Sequence, residues 1–119
     1  MRIVLDAMGT DEAPSAEVAG AIDAMRLESN SDVEIVLVGD ERLIHAELAN
    51  YKEVPEGLVV HHAPDRVTVK DSPASVIRRK PESSIVVGLK LHKEGTADAF
   101  VSAGSTGAVM ASSLFALRP

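Results

Sequence analysis

The sequence predicts an α/β protein built on a parallel sheet with helices over both faces. Short, nearly uninterrupted apolar runs alternate along the chain with segments whose apolar residues recur at helical spacing. Apolar strands of this kind are typical of a sheet buried on both faces, and strands separated by helices are typical of parallel pairing. With 119 residues, of which 45% are hydrophobic, the chain is long enough to form one small domain with its own core.

The predicted elements follow in a regular order. Strands are predicted at the apolar runs of residues 3–5, 33–38, 58–61 and 97–102. Helices are predicted at residues 16–27, 43–50, 73–79, 82–94 and 108–117. Pro14 fits the first turn of the first helix, and Asp40 is predicted to cap the second. Residues 29–32 are predicted to form a turn, and residues 63–72 a loop with a short strand at 67–69.

The last predicted helix is apolar nearly all round. Such a helix is normally buried between other elements, but a sheet of about four strands offers few neighbours to cover it. We therefore expect the chain to be cut from a longer protein, or to assemble with another chain.

Composition argues against several classes of protein. The chain has no cysteine, which excludes disulfide scaffolds, thiolate metal sites and cysteine nucleophiles within these residues. One Tyr, two Phe, no Trp and a net charge of −6 argue against nucleic-acid binding. No apolar run approaches the roughly 20 residues that span a bilayer, and Asp6 comes too early for a signal peptide. We expect a cytoplasmic protein.

The charge is distributed unevenly along the chain. Residues 1–60 contain 13 acidic and 4 basic residues, whereas residues 61–119 contain 5 acidic and 8 basic ones. An anionic ligand is therefore expected to meet the second half, where five basic residues cluster: Arg66, Lys70, Arg78, Arg79 and Lys80. Arginine suits phosphate oxygens, but a solvated basic helix face explains the same cluster equally well.

A loop of small residues follows the last predicted strand and opens the last helix: Ser102-Ala103-Gly104-Ser105-Thr106-Gly107-Ala108. Ligands of parallel sheets bind outside the carboxyl ends of the strands. Glycines let the backbone approach a ligand, and amides at a helix start favour a phosphate or carboxylate. The loop lacks the lysine of a Walker A motif. A serine cap with glycines for tight packing is the alternative that the spacing leaves open.

A second loop, Asp6-Ala7-Met8-Gly9-Thr10-Asp11, follows the first predicted strand. Its two carboxylates would orient a ligand, hold a cation or accept a proton. From the residues alone we favour a simpler interpretation, in which Asp6 ties down the loop backbone and Asp11 caps the next helix. His61 and His62 are neighbours on a strand and point to opposite faces, so no metal site is predicted there.

Four segments, in this order, carry a family resemblance: MRIVLDAMGTDEAP, EIVLVGD, SPASVIRRKPESSIVVGL and DAFVSAGSTGAVMASSLF. Together they resemble the bacterial phosphate acyltransferases of phospholipid synthesis, and the resemblance covers nearly the whole chain. Members of that family are considerably longer, so the chain resembles their N-terminal part. The family usually has Gly where this chain has Thr10, and Asn where it has Ser105.

The resemblance implies a transferase that moves a fatty acyl group from acyl carrier protein to inorganic phosphate, giving an acyl phosphate. It further implies a three-layer α/β/α fold like that of isocitrate and isopropylmalate dehydrogenases, no organic cofactor, a homodimer and peripheral membrane association. Carried onto this chain, it places phosphate near Gly104, Ser105, Thr106 and Gly107, with Asp6, Met8, Gly9 and Asp11 on the facing loop. Arg78 and Arg79 would assist with phosphate or with the acidic carrier protein.

Two other functions stay open at this point. The first is a phosphate acetyl- or butyryl-type transferase that uses an acyl-coenzyme A thioester. The second is a non-catalytic, anion-binding fragment of the same fold. No side-chain nucleophile paired with a base is visible, so phosphate itself would attack, with the protein supplying position and electrostatics.

Overall fold

A parallel sheet of four strands lies at the centre of the computed structural model, which describes residues 1–27, 32–68 and 70–117. The helices and strands are, in chain order, β1 (Arg2–Asp6), α1 (Ser15–Met25), β2 (Glu34–Gly39), α2 (Glu41–Leu48), β3 (Leu58–His62), a 3₁₀ turn (Pro73–Ser75), α3 (Val76–Arg79), α4 (Ser84–Lys93), β4 (Ala99–Val101) and α5 (Thr106–Leu117). The α/β class and the parallel pairing are thereby confirmed. The closer likeness to isocitrate dehydrogenases stays an expectation of the resemblance.

The strand order β3-β2-β1-β4 places a crevice beside β1. The chain builds outward from β1 to β2 and β3, and then returns to add β4 on the other side of β1. In the register of the sheet, Val4 lies beside Val36 of β2 and Phe100 of β4. A reversal of this kind opens the crevice in which doubly wound sheets bind ligands, here at the carboxyl ends of β1 and β4.

Helices cover both faces of the sheet, because successive residues of each strand point to opposite sides. One face packs against α1 and α2 through a shared set of buried side chains: Val18, Ala21, Ile22, Ile35, Leu37 and Ile44. The other face packs under α4 through Val4, Val36 and Val38, with Val87 and Leu91 against them. A third cluster joins α3, α4 and α5: Val76, Ile85, Val86, Leu89 and Ala108. The uninterrupted apolar runs thus supply two layers of core at once.

Local interactions set several element boundaries. Asp40 caps α2 as predicted, since its Oδ1 accepts a hydrogen bond from the Arg42 amide at 3.0 Å. The predicted short strand is wrong at residues 67 and 68, because the Thr68 amide donates to the Asp71 carboxylate at 2.6 Å and turns the chain. Residue 69 and residues 29–31 of the predicted turn lie outside the described residues.

The predicted cap at Asp11 is also wrong. Helix α1 starts at Ser15 with Pro14 at its N-cap position, and within the described residues no side chain at that position caps the helix. The loop after β1 is held instead by a side chain of α1. The Glu17 carboxylate accepts hydrogen bonds from the Thr10 amide at 3.1 Å and from the Thr10 hydroxyl at 2.9 Å. This leaves the Asp11 side chain exposed.

Helix α5 is buried on one face only, in keeping with the few neighbours that a four-stranded sheet offers. Ala108 and Ser112 are about 1% exposed and lie against the rest of the protein, whereas Met110 and Leu114 are more than 60% exposed. Within the described part of the chain, no helix is long and apolar enough to cross a membrane.

Candidate anion-binding site

The loops after β1 and β4 are joined by hydrogen bonds at the carboxyl edge of the sheet. Asp6, at the end of β1, is almost fully buried. Its Oδ1 accepts from the Met8 amide at 2.9 Å, and its Oδ2 accepts from the Ser102 hydroxyl at 2.8 Å. The Ser102 oxygen in turn accepts from the Gly104 amide at 3.1 Å. The prediction that Asp6 ties down its own loop is confirmed, and the same carboxylate also holds the loop after β4.

Two glycines allow these loops to touch. A Cβ on Gly9 would lie 2.8 Å from the Gly104 nitrogen, and a Cβ on Gly104 would lie 3.3 Å from Gly9 Cα. A side chain at Gly9 would therefore push the backbones apart. Gly107 has a different surrounding: a Cβ there would lie 3.0 Å from Pro73 Cγ, so this glycine packs the start of α5 against the 3₁₀ turn.

A cleft of about 290 Å³ adjoins this contact and is lined by Gly9, Asp11, Arg66, Val67, Thr68 and Ser105. The cleft contains one guanidinium, one carboxylate and two hydroxyls. Its volume lies near the lower end of the range of about 300–1,000 Å³ that is usual for small-molecule sites. It suits a small anion that also carries a hydrogen-bond donor.

Arg66 supplies the positive charge of the cleft; the sequence placed it in the basic cluster expected to meet an anion but did not assign it to the phosphate site. Its Nη2 donates to the Thr10 carbonyl oxygen, which uses one of the five N–H donors of the guanidinium. Because Glu17 holds Thr10, the position of Arg66 is connected through Thr10 to α1. Its place four residues after β3, in another loop at the carboxyl edge, together with its positive charge, is the signal that favours it over the rest of the basic cluster.

The loop that carries Arg66 is fixed at both ends. Asp65 forms an isolated β-bridge with Ser83, the residue that caps α4. Lys80 Nζ donates to the Arg66 carbonyl oxygen at 2.6 Å and to Asp71 Oδ2 at 2.8 Å. Lys80, one residue of the predicted basic cluster, therefore holds this loop.

This pairing makes the loop sensitive to acid. The hydrogen bond from Lys80, together with the one from the Thr68 amide, lowers the pKa of the Asp71 carboxyl below its ordinary value. A depressed pKa in the folded protein means that the stabilisation is complete above the unfolded pKa of about 3.9 and is lost as pH falls through the folded value. We expect Asp71→Asn to be less stable than the unsubstituted chain at pH 7, with the difference shrinking as pH falls below the ordinary aspartate pKa of about 3.9. Urea unfolding at pH 7 and in acid measures this difference, with Asp23→Asn on the exposed side of α1 as the control. A difference that persists in acid would contradict the pairing.

Ser105 both caps α5 and lines the cleft. Its Oγ accepts from the Ala108 amide at 3.3 Å, and its hydroxyl hydrogen is still a donor. The amides of Thr106 and Gly107 belong to the first turn of a twelve-residue helix, where no earlier helical carbonyl faces them. The positive end of the helix dipole therefore lies at the cleft. The serine cap and the anion cradle are compatible at this position.

The structure does not bring every predicted residue into the cleft. The Met8 side chain is buried beside Gly39, so Met8 contributes packing and an amide rather than a lining side chain. Arg78 and Arg79 are exposed on α3, and Arg78 lines a separate recess with Ile77 and Phe115. Among the residues that the structure describes, no three His, Asp or Glu side chains form a group that would hold a metal ion.

Comparison with known proteins identifies the family. A family model described as "fatty acid synthesis protein" matches residues 1–119. Curated proteins named phosphate acyltransferase match 98% of this chain: the one from Herpetosiphon aurantiacus is 52% identical, that from Alkaliphilus oremlandii 47% and that from Chlorobaculum parvum 48%. The chain covers 31% to 34% of these proteins, about a third of their length. Because the match extends over the whole chain at about half identity, the chain belongs to the fatty acid synthesis protein family.

Proposed function

We propose that the protein is a phosphate acyltransferase, and that this chain supplies its phosphate site in the cleft between the loops after β1 and β4. The observation that carries the proposal is the convergence of Arg66, Ser105 and the start of α5 on one small cleft at the switch point of the sheet. The name shared by the relatives supports the same reaction. The proposal concerns the whole protein, since the chain spans about a third of those relatives.

The proposed reaction needs no nucleophile from the protein. An oxygen of monohydrogen phosphate attacks the carbonyl carbon of an acyl thioester, and the new O–C bond replaces the C–S bond. The proton of phosphate passes to the departing thiolate, so the products are an acyl phosphate and a thiol. The protein contributes by fixing the two reactants and by stabilising negative charge.

Three side chains have proposed roles toward phosphate. The Arg66 guanidinium binds two phosphate oxygens with its fork of N–H donors. The Ser105 hydroxyl and the first-turn amides of α5 donate to a third oxygen. The Asp11 carboxylate accepts the hydrogen bond of the P–OH group, which orients the protonated oxygen and accounts for an acidic residue in an anion site.

Arg78 and Arg79 have a different proposed role. They lie on exposed α3 and do not line the cleft, so we assign them to docking of an acidic carrier protein rather than to phosphate. Acyl carrier protein as the donor follows from the resemblance, as do dimerisation and peripheral membrane association. These stay predictions.

An assay of the full-length protein that contains this segment tests the proposal. Acyl phosphate formation is followed with acyl carrier protein thioesters and with coenzyme A thioesters as donors. We expect Arg66→Ala to raise KM for phosphate by about tenfold or more, since a hydrogen bond to a charged group contributes about 1.5–3 kcal/mol. Arg66→Lys would restore only part of the binding.

Arg42→Ala, on the exposed side of α2, is the matched control and should leave the phosphate KM unchanged. Arg79→Ala should raise KM for the carrier-linked donor but not for the coenzyme A donor. A higher kcat/KM for the coenzyme A donor than for the carrier-linked donor in the unsubstituted protein would favour the coenzyme A enzyme. An unchanged phosphate KM in Arg66→Ala would overturn the assignment of the site.

A further inference from the structure

An acidic side chain is buried in the first turn of α1, outside the lining of the cleft. Glu17 is only 7% exposed, and its neighbour Val18 is fully buried in the core under α1. The backbone that carries Glu17 therefore has little freedom to move. The carboxylate forms no ion pair within the described part of the chain, so hydrogen-bond donors must satisfy its buried charge.

The start of α1 explains where those donors are found. Glu17 is the third residue of the helix, the position from which a glutamate ordinarily reaches back to the amide of the N-cap residue. Here the N-cap residue is Pro14, which has no amide hydrogen. Glu17 extends instead to Thr10, whose amide donates at 3.1 Å and whose hydroxyl donates at 2.9 Å. The buried carboxylate therefore holds the loop after β1 and not its own helix.

Thr10 is held from two sides by distant parts of the chain. Glu17 binds its amide and its hydroxyl, while Arg66 Nη2 donates to its carbonyl oxygen. The backbone of Arg66 is fixed separately, because Lys80 Nζ donates to its carbonyl oxygen at 2.6 Å. The hydrogen bond to Thr10 therefore orients the guanidinium, and Glu17 fixes the residue that accepts it.

Orientation matters for the affinity of an arginine because its long side chain has many rotamers. A guanidinium that must be ordered when an anion binds loses conformational entropy at that moment, which weakens binding. A guanidinium that is already held does not incur this loss. Since the bond to Thr10 uses one of its five N–H donors, the others are left for an anion.

We propose that Glu17 is a positioning residue of the phosphate site, which acts through Thr10 to hold the Arg66 guanidinium ready for phosphate without touching phosphate itself. The inference rests on the proposed function, since it deepens the role given there to Arg66. Its consequence is that Glu17 affects the binding of phosphate but not the binding of the acyl donor.

Steady-state kinetics of the full-length protein that contains this segment tests the proposal. We expect Glu17→Ala to raise KM for phosphate by about fivefold, within the range for residues of one hydrogen-bond network. The kcat and the KM for the acyl donor should change by less than about twofold. A purely structural role would lower the active fraction, and hence kcat, without moving KM. Asp23→Ala, on the exposed side of the same helix, is the matched control and should change none of these values.

Two conservative variants separate position from charge and keep the test informative if Glu17→Ala does not fold. Glu17→Gln retains an oxygen for the Thr10 amide, and its own amide group can donate to the Thr10 hydroxyl, so it should restore most of the phosphate affinity. Glu17→Asp keeps the charge but is one methylene shorter, so it should raise KM for phosphate as alanine does. The reverse order, with Asp active and Gln impaired, would assign the effect to charge and overturn the proposal.

The double variant Glu17→Ala with Arg66→Ala tests the route of the effect. If Glu17 acts through Arg66, its replacement should change the phosphate KM by less than about twofold once Arg66 is absent. Additive effects would overturn the proposal. A raised KM in Arg66→Ala with unchanged KM in the Glu17 variants would overturn this inference alone. An unchanged KM in Arg66→Ala would overturn the phosphate site and the inference with it, so the two failures are distinguishable.

Discussion

Replacing Asp6 by alanine is expected to lower the free energy of unfolding by about 3 kcal/mol or more, because hydrogen bonds to a charged group contribute about 1.5–3 kcal/mol each. The buried carboxylate accepts from the Met8 amide on its own loop and from the Ser102 hydroxyl on the loop after β4. Alanine would leave both donors without an acceptor. The two loops that form the cleft would then lose their common support, and phosphate binding should weaken together with stability.

Urea unfolding of Asp6→Ala measures this change. Asp6→Asn retains one acceptor oxygen and should lose less, which keeps the test informative if the alanine variant does not fold. Asp11→Ala is the matched control, since that carboxyl is exposed on the same loop and its removal should change stability by less than about 0.5 kcal/mol. Equal losses in Asp6→Ala and Asp11→Ala would contradict the role given to Asp6.

Adding a methyl group at Gly9 is expected to cause the second large loss of stability. The added Cβ would lie 2.8 Å from the Gly104 nitrogen and 3.2 Å from Asp6 Oδ2, against backbone and a buried carboxylate that have little freedom to move. Overpacking of this kind costs about 1–3 kcal/mol. We expect Gly9→Ala to lose that much stability and to bind phosphate more weakly, because the cleft is built on the contact between the two loops.

Gly20→Ala provides a comparison of opposite sign. Gly20 lies on the exposed side of α1 with open space around its would-be Cβ, so alanine there should stabilise the helix by about 0.5–1 kcal/mol. Thermal or urea unfolding of the two variants side by side makes the measurement. If alanine changes the free energy of unfolding equally at Gly9 and at Gly20, the two loops do not approach each other as closely as the structure shows.

The sheet could be predicted from the sequence because its signal is local. Runs such as residues 33–38 are apolar at every position except Glu34, which is typical of strands buried on both faces. The signal for the cap at Asp40 is equally local, since its side chain accepts a hydrogen bond from the amide two residues further along the chain. The expected position of the candidate site follows from the fold class, because parallel sheets bind their ligands at the carboxyl ends of their strands.

The details of the cleft depend on contacts between distant parts of the chain, and for that reason the sequence did not predict them. Arg66 lines the cleft because Lys80 and the bridge from Asp65 to Ser83 fix its loop. No local sequence pattern predicts either contact. Asp11 does not cap α1, and Glu17 in the first turn of that helix holds the loop instead. The direction of a side chain in a loop, as at Met8, likewise depends on what fills the core beside it.

Titration of the ¹⁵N-labelled chain with inorganic phosphate, against chloride at equal ionic strength, tests the phosphate site most directly. The proposed site predicts saturable shifts at the amides of Gly9, Arg66 and Ser105, none at Gly57 on the opposite edge of the sheet, and their loss in Arg66→Ala. Shifts confined to Arg78 and Arg79 on α3, or no saturable shift at the carboxyl edge, would contradict it.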